Sequence, residues 1–152
     1  MKVLITTVPF GQIDRKPIEL LEAIPIDYEI NPLGRKLTEN ELAELVSDVD
    51  ILIAGTEPIT STVIEKARRL KLITRVGIGL DSVDLVAARR NNVSVSYTPD
   101  APSKAVADLT IGLMFALLRS TQLSNLSIRN KLWKGNQSLF HRGYLKQRIY
   151  KG

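Results

Sequence analysis

The stretch L72-I-T-R-V-G-I-G-L-D-S-V-D-L-V-A-A-R-R90 decides the fold, because it runs from a strand pattern through a glycine loop into a helix pattern. Residues 72–76 are a short apolar run typical of buried strands, and residues 83–90 repeat apolar positions at helical spacing. A strand followed by a helix of this length is part of a βαβ unit, whose strands are parallel. The fold therefore depends on whether the same unit recurs along the chain.

The unit recurs along the first 101 residues. Predicted strands cover residues 2–7, 27–31, 50–54, 72–76 and 93–97, and predicted helices cover residues 17–24, 39–47, 62–69 and 83–90. Thr38 and Glu41 have the spacing of a capping box ahead of the second helix. The pattern predicts an α/β fold, a flavodoxin-like doubly wound parallel five-stranded sheet. Ligands bind beyond the carboxyl ends of such strands, so the loops after residues 7, 54, 76 and 97 are candidate sites.

The alternation stops after residue 101. A long helix is predicted from about residue 102 to residue 119, and a second helical stretch continues to about residue 132. Residues 102–133 are therefore predicted to form a helical segment outside the sheet. Residues 134–152 form a basic tail without a clear pattern.

The charge of the chain is concentrated at its end. Residues 1–108 hold 13 Lys and Arg against 16 Asp and Glu, a net charge of −3, whereas residues 109–152 hold 8 Lys and Arg and no acid, a net charge of +8. Since no nucleic-acid-binding motif accompanies this charge, we expect no nucleic-acid partner.

The composition excludes several kinds of chemistry. The chain has no cysteine, which rules out disulfides, thiolate metal sites and cysteine nucleophiles. The apolar run at the N-terminus is too short for a signal peptide, and the run at residues 109–118 is too short to cross a bilayer. We expect a cytoplasmic protein with no metal site and no membrane contact.

The glycine loop contains G-I-G, the first half of a dinucleotide-binding motif. Ser82 stands where the third glycine would be, and the loop follows the fourth strand rather than the first. Asp81 and Asp84 would repel a pyrophosphate but are suited to capping the next helix. Two interpretations remain open: the glycines only permit a tight turn, or the loop presents backbone N–H groups to a small anion such as a carboxylate.

Residues 70–99 and 101–119 together resemble a known family. They contain the glycine loop, G-x-D-x-V-D, a helix, a short strand ending in T-P, and the V-A-D helix. This succession resembles the NAD-dependent D-isomer-specific 2-hydroxyacid dehydrogenases, most of all their phosphoglycerate dehydrogenase branch. The resemblance implies a substrate domain, residues 1–101, that is split in sequence around an inserted Rossmann domain. Residues 102–133 would then be the helical connector to that NAD-binding domain.

The resemblance also implies a site. The loop backbone of the family holds the substrate carboxylate, which corresponds here to Val76, Gly77, Ile78 and Gly79. The positions of Ile78 and Val106 lie near the nicotinamide in the family, although Val106 is equally well explained as a helix-face valine. The implied cofactor is NAD, and the implied ligand is a small 2-hydroxy or 2-oxo acid.

The sequence departs from the family in three respects. The phosphoglycerate branch often has Arg-Ser after the third strand, where this chain has Ala54 and Gly55, so phosphoglycerate itself is in doubt. No G-x-G-x-x-G and none of the family's catalytic Arg, Glu and His can be matched; His141 lies in the basic tail. Trp133 resembles the family's tryptophan before the cofactor domain, but the likeness fades after Gly135. We therefore expect a chain truncated before the dinucleotide domain and inactive by itself.

Two further expectations concern partners. The long helix is apolar all round, which favours self-association or burial against the missing cofactor domain. The alternative function is a non-catalytic α/β binding or interaction module that uses the same sheet.

Overall fold

The first 101 residues form a parallel sheet interleaved with helices. The computed structural model describes residues 1–132. The strands are β1 (Lys2–Ile5), β2 (Asp27–Ile30), β3 (Ile51–Ala54), β4 (Leu72–Arg75) and β5 (Ser94–Tyr97). The helices between them are α1 (Lys16–Glu22), α2 (Glu39–Leu45), α3 (Ser61–Lys66) and α4 (Leu85–Arg90). The strand order is β2-β1-β3-β4-β5 with every neighbour parallel, which confirms the predicted flavodoxin-like sheet.

The order of the strands places the helices on two faces. Right-handed crossovers that run from β2 past β1 to β3, and on to β4 and β5, put α2, α3 and α4 on one face. The step from β1 to β2 runs the other way and puts α1 on the opposite face. Along β3 the alternation is visible, since Leu52 and Ala54 are fully buried whereas Ile51 and Ile53 are half-buried.

One apolar cluster holds the α2–α4 face to the sheet. It includes Leu4, Leu52 and Ile73 from the strands, Leu42 from α2 and Ile64 from α3, all 0 or 1% exposed. Burying side chains of this size contributes about 1.5–3 kcal/mol each, which offsets much of the entropy lost in ordering the chain. The cluster therefore fixes β1, β3 and β4 side by side.

The ends of two helices test the capping predictions. Thr38 caps α2, and both hydrogen bonds of the capping box with Glu41 are present, as predicted. Asp84 caps α4 by accepting a hydrogen bond of 2.8 Å from the backbone N–H of Ala87. Asp81, which we expected to help at this helix end, is exposed and does not cap it, because α4 begins only at Leu85.

The pH dependence of stability should report on the α2 cap. The Arg35 guanidinium, followed by the backbone N–H of Thr38, lowers the pKa of Glu41 from 4.5 to about 2. A lowered carboxyl pKa adds stability that is complete above pH 4.5 and is lost as the pH falls toward 2. Glu41→Gln keeps the capping pattern but should flatten this part of the pH profile, measured by chemical denaturation.

The effect of Glu41→Gln on the free energy of unfolding should be small, because the ion pair between Glu41 and Arg35 is exposed to solvent and screened. Glu44→Gln, on the exposed side of the same helix, is the matched control. An unchanged acid slope in Glu41→Gln would contradict the assignment of this carboxylate to the cap.

Residues 102–132 belong to a second unit, Pro102–Gly152. It contains α5 (Ser103–Leu118) and α6 (Thr121–Arg129), which confirms the two predicted helices. Trp133, His141 and the basic tail lie outside the described residues. No single helix within residues 1–132 is long and apolar enough to cross a membrane; α5 and α6 taken together, with a 65° bend between them, reach the required length and hydropathy.

Candidate functional site

A cleft lies at the carboxyl ends of β1, β3 and β4. Its volume is about 120 Å³. The residues that line it are Thr6, Thr7, Val8, Lys36, Gly55, Thr56, Glu57, Arg75 and Val76. In the order β2-β1-β3-β4-β5 the chain reverses direction between β1 and β3, and ligands of such sheets bind at that switch point. The topology thus places the cleft where a ligand site is expected.

The glycine loop continues from the end of β4 beside this cleft. The N–H of Val76 donates to the carbonyl of Ala54 at 2.9 Å, and the carbonyl of Gly77 accepts from the N–H of Thr98 at 3.1 Å. Gly77 has φ 143, a conformation that favours glycine. Among residues 1–132, no acceptor takes a hydrogen bond from the N–H groups of Gly77, Ile78 or Gly79. The loop is therefore fixed at its start while three successive donors stay available.

Arg75 adds a buried cation at the start of the loop. It is the last residue of β4 and is only 9% exposed. Its Nη1 donates to the carbonyl of Val76, while its Nε has no hydrogen-bond partner in the described part of the chain. Our sequence reasoning did not select Arg75, although an arginine that ends a central strand is a recognisable signal at this edge of a sheet.

Glu57, in the loop after β3, adds a buried carboxylate to the lining of the cleft. It is 1% exposed, and its Oε1 accepts hydrogen bonds from the hydroxyl of Thr6 and from the N–H of Gly55, the latter at 2.9 Å. A Cβ on Gly55 would lie 2.8 Å from Glu57 Oε2, so glycine leaves room for the carboxylate. The sequence prediction noted that no arginine follows β3 but overlooked this acid.

The predicted site residues are only partly brought together. Val76 lines the cleft, and Gly77, Ile78 and Gly79 continue the loop from it. Val76 and Ile78 expose 44% and 52% of their surface, and their contact with a substrate stays a prediction. Val106 lies on α5 in the second unit and is exposed; its contact with a nicotinamide stays a prediction.

The fold and the cleft define a class: a flavodoxin-like α/β domain with a cleft at the carboxyl ends of its strands. The family model described as D-isomer specific 2-hydroxyacid dehydrogenase, catalytic domain, matches residues 3–147. The chain belongs to this family, which confirms the resemblance drawn from the glycine loop and the helix after β5.

Individual relatives agree with this assignment. The D-3-phosphoglycerate dehydrogenase of Methanocaldococcus jannaschii is 42% identical over 116 residues, covering 74% of this chain and 22% of that enzyme. The TT0316 protein of Thermus thermophilus superposes with a TM-score of 0.78 and 33% identity, over 93% of this chain and 44% of that one. The NAD⁺-bound 3-phosphoglycerate dehydrogenase of Entamoeba histolytica has a TM-score of 0.69 and 29% identity, over 78% of this chain and 39% of that one. The chain thus spans less than half the length of these relatives.

The described residues do not fit a dinucleotide by themselves. The G-I-G loop has Ser82 in place of a third glycine, and the Asp84 side chain already occupies the N-terminus of α4. An aspartate at that position would repel a pyrophosphate. No group of three His, Cys, Asp or Glu side chains within residues 1–132 could hold a metal ion.

Proposed function

We propose that residues 1–101 are the substrate domain of an NAD-dependent D-2-hydroxyacid dehydrogenase, with the loop Val76–Gly79 as the seat of the substrate carboxylate. The observation that carries this proposal is the row of three N–H groups, on Gly77, Ile78 and Gly79, without an acceptor in the described chain. Successive backbone N–H groups in a turn form a concave anion site. Arg75, which is buried at the start of the loop, adds a positive charge that also favours an anion.

In this proposal the chain binds and orients the acid, while NAD supplies the hydride chemistry when it is bound. Charge-assisted hydrogen bonds from the loop would fix the carboxylate and so hold carbon 2 at the edge of the cleft. No catalytic residue is assigned within residues 1–132, and of these residues only Ile78 and Val106 are proposed to lie near NAD. We expect no turnover from the 152-residue chain by itself, and we propose the cytoplasm as its location.

Amide chemical shifts should test the carboxylate seat directly. Titration of the ¹⁵N-labelled chain with pyruvate should move the amide signals of Gly77, Ile78 and Gly79 along one saturable curve, because these N–H groups gain an acceptor. Lactamide, which has a similar shape but no carboxylate, is the matched control ligand. If the largest shifts fell on other amides, or if lactamide moved the same three signals equally, the proposed seat would be wrong.

The surface of α5 supports a second part of the proposal, self-association of the chain. The exposed apolar side chains of this helix are Val106, Leu109, Ile111, Leu113, Met114, Phe115, Leu117 and Leu118, each at least 53% exposed. A monomer rarely leaves so many large apolar side chains in water. We propose that a second copy of the chain, or a cofactor domain, covers them.

Sedimentation velocity should show this association. The unmodified chain should sediment as a dimer or larger species at micromolar concentration, and Phe115→Gln with Leu117→Gln should shift it toward the monomer by removing apolar contact area. Leu20→Gln on α1, where leucine is 63% exposed, is the control and should leave the distribution unchanged. A monomer at every concentration would refute self-association.

A further inference from the structure

The carboxylate of Glu57 is buried without a cation to balance it. No Lys or Arg of residues 1–132 forms an ion pair with it, although Lys36 and Arg75 line the same cleft. Both of its described hydrogen bonds end on Oε1, which leaves Oε2 without a donor in the described chain. Oε2 is not among the described side-chain atoms that are fully buried without a partner, so it is open to the cleft, where a ligand can donate a charge-assisted hydrogen bond to it.

The position of Glu57 indicates which part of a ligand would supply that donor. The cleft joins Glu57 to Val76, the first residue of the proposed carboxylate seat. An acid whose carboxylate rests on the loop would therefore direct the rest of its short chain toward the inner, buried lining of Thr6, Gly55 and Glu57. Carbon 3 of the acid, which follows the reacting carbon 2, is then the group nearest to Oε2 of Glu57.

We propose that Glu57 determines substrate specificity by accepting a hydrogen bond from a hydroxyl group on that third carbon. This inference rests on the proposed function. The expected substrate is a 2-oxo or 2-hydroxy acid that carries a neutral hydroxyl group on carbon 3. Acids that carry a phosphate or a second carboxylate at this position should bind less well. The reason is electrostatic: a negative group would face the Glu57 carboxylate in a site of low dielectric, where repulsion between like charges is strong.

The cations in the cleft do not reverse this preference. The Arg75 side chain is held by its own hydrogen bond to the Val76 carbonyl, on the side of the carboxylate seat. Lys36 is exposed, so its charge is screened by solvent. Glu57 is the acid that two hydrogen bonds hold in the lining of the cleft, between the Thr6 hydroxyl and the Gly55 N–H.

Calorimetric titration of the full 152-residue chain tests the assignment with three ligands: pyruvate, hydroxypyruvate and 3-phosphohydroxypyruvate. Hydroxypyruvate should bind about tenfold more tightly than pyruvate, the effect of one charge-assisted hydrogen bond, and the phosphorylated acid should bind more weakly than hydroxypyruvate. Glu57→Gln should reduce the preference for hydroxypyruvate and strengthen binding of the phosphorylated acid by about tenfold. Glu65→Gln, an exposed glutamate on α3, should leave all three affinities unchanged.

A second measurement separates a binding role from a structural one. Glutamine retains an oxygen for the Thr6 and Gly55 donors but removes the unpaired charge, so Glu57→Gln should keep or raise the melting temperature of the free chain. A clear fall in melting temperature would show that the carboxylate is structural and would overturn the proposal.

The outcomes distinguish the two proposals. Equal binding of pyruvate and hydroxypyruvate to the unmodified chain, or an unchanged preference in Glu57→Gln, would overturn the role of Glu57 and leave the carboxylate seat standing. Failure of every acid to bind would overturn the carboxylate seat and the Glu57 assignment together.

Discussion

Replacing Gly77 with alanine is expected to weaken pyruvate binding at least tenfold and to destabilise the sheet domain by about 1–3 kcal/mol. Gly77 has φ 143, which an L-residue rarely adopts. An added Cβ would also lie 2.6 Å from Nη1 of Arg75, so either the loop or the guanidinium must move. Since three donors must point to one place for the anion site to work, a shift at the first of them should disrupt the site.

Gly34→Ala distinguishes the cost of backbone strain from the loss of the anion-site geometry. Gly34 also has a positive φ, of 62, but a Cβ there would meet nothing within 4 Å. This variant should lose stability from the backbone conformation while keeping its affinity for pyruvate. Denaturation curves and titrations of both variants provide the comparison. Unchanged pyruvate affinity in Gly77→Ala would show that the loop is only a turn, the alternative left open by the sequence.

Leu52→Ala is expected to remove about 3–5 kcal/mol from the free energy of unfolding. Leu52 lies in the middle of β3, is 0% exposed and belongs to the cluster that holds β1, β3 and β4 together. A domain of this size is stabilised by only about 5–15 kcal/mol, so the variant should be marginally folded. Its melting temperature should fall by at least about 10 °C, measured by circular dichroism.

Leu20→Ala is the matched control for this loss, because Leu20 on α1 is 63% exposed. Exposed substitutions of this kind usually change stability by less than about 0.5 kcal/mol. If the two leucine variants unfolded at similar temperatures, β3 could not be the centre of the core. The consequence would extend to the site, since β3 carries the loop that contains Gly55 and Glu57.

Several features were accessible from local sequence. Alternating strand and helix patterns predicted all five strands, because each pattern depends on residues close together in the chain. The capping box of Thr38 and Glu41 was predicted for the same reason, since its hydrogen bonds span three residues. The ends of strands were less well predicted: β1 ends at Ile5 rather than residue 7, and Thr6 and Thr7 line the cleft instead.

The composition of the site was not accessible in the same way. The sequence indicated the glycine loop, yet it did not single out Arg75 or Glu57 as site residues. Their burial depends on contacts that no local pattern encodes: the Thr6 hydroxyl that binds Glu57 lies 51 positions away. Arg75 meets the end of β3 only because β4 pairs with β3 in a register that sets it opposite Ala54.

By itself, the sequence determined the α/β class, the flavodoxin-like sheet, the family and the loop at the end of the fourth strand. Those features follow from periodicity and from motifs that are short in sequence. Only the tertiary structure decided which side chains share the cleft, because strand order brings the ends of β1, β3 and β4 together from distant parts of the chain. It also decided that one acid among sixteen, Glu57, is buried beside the loop, since burial is a property of the packed sheet rather than of the residue.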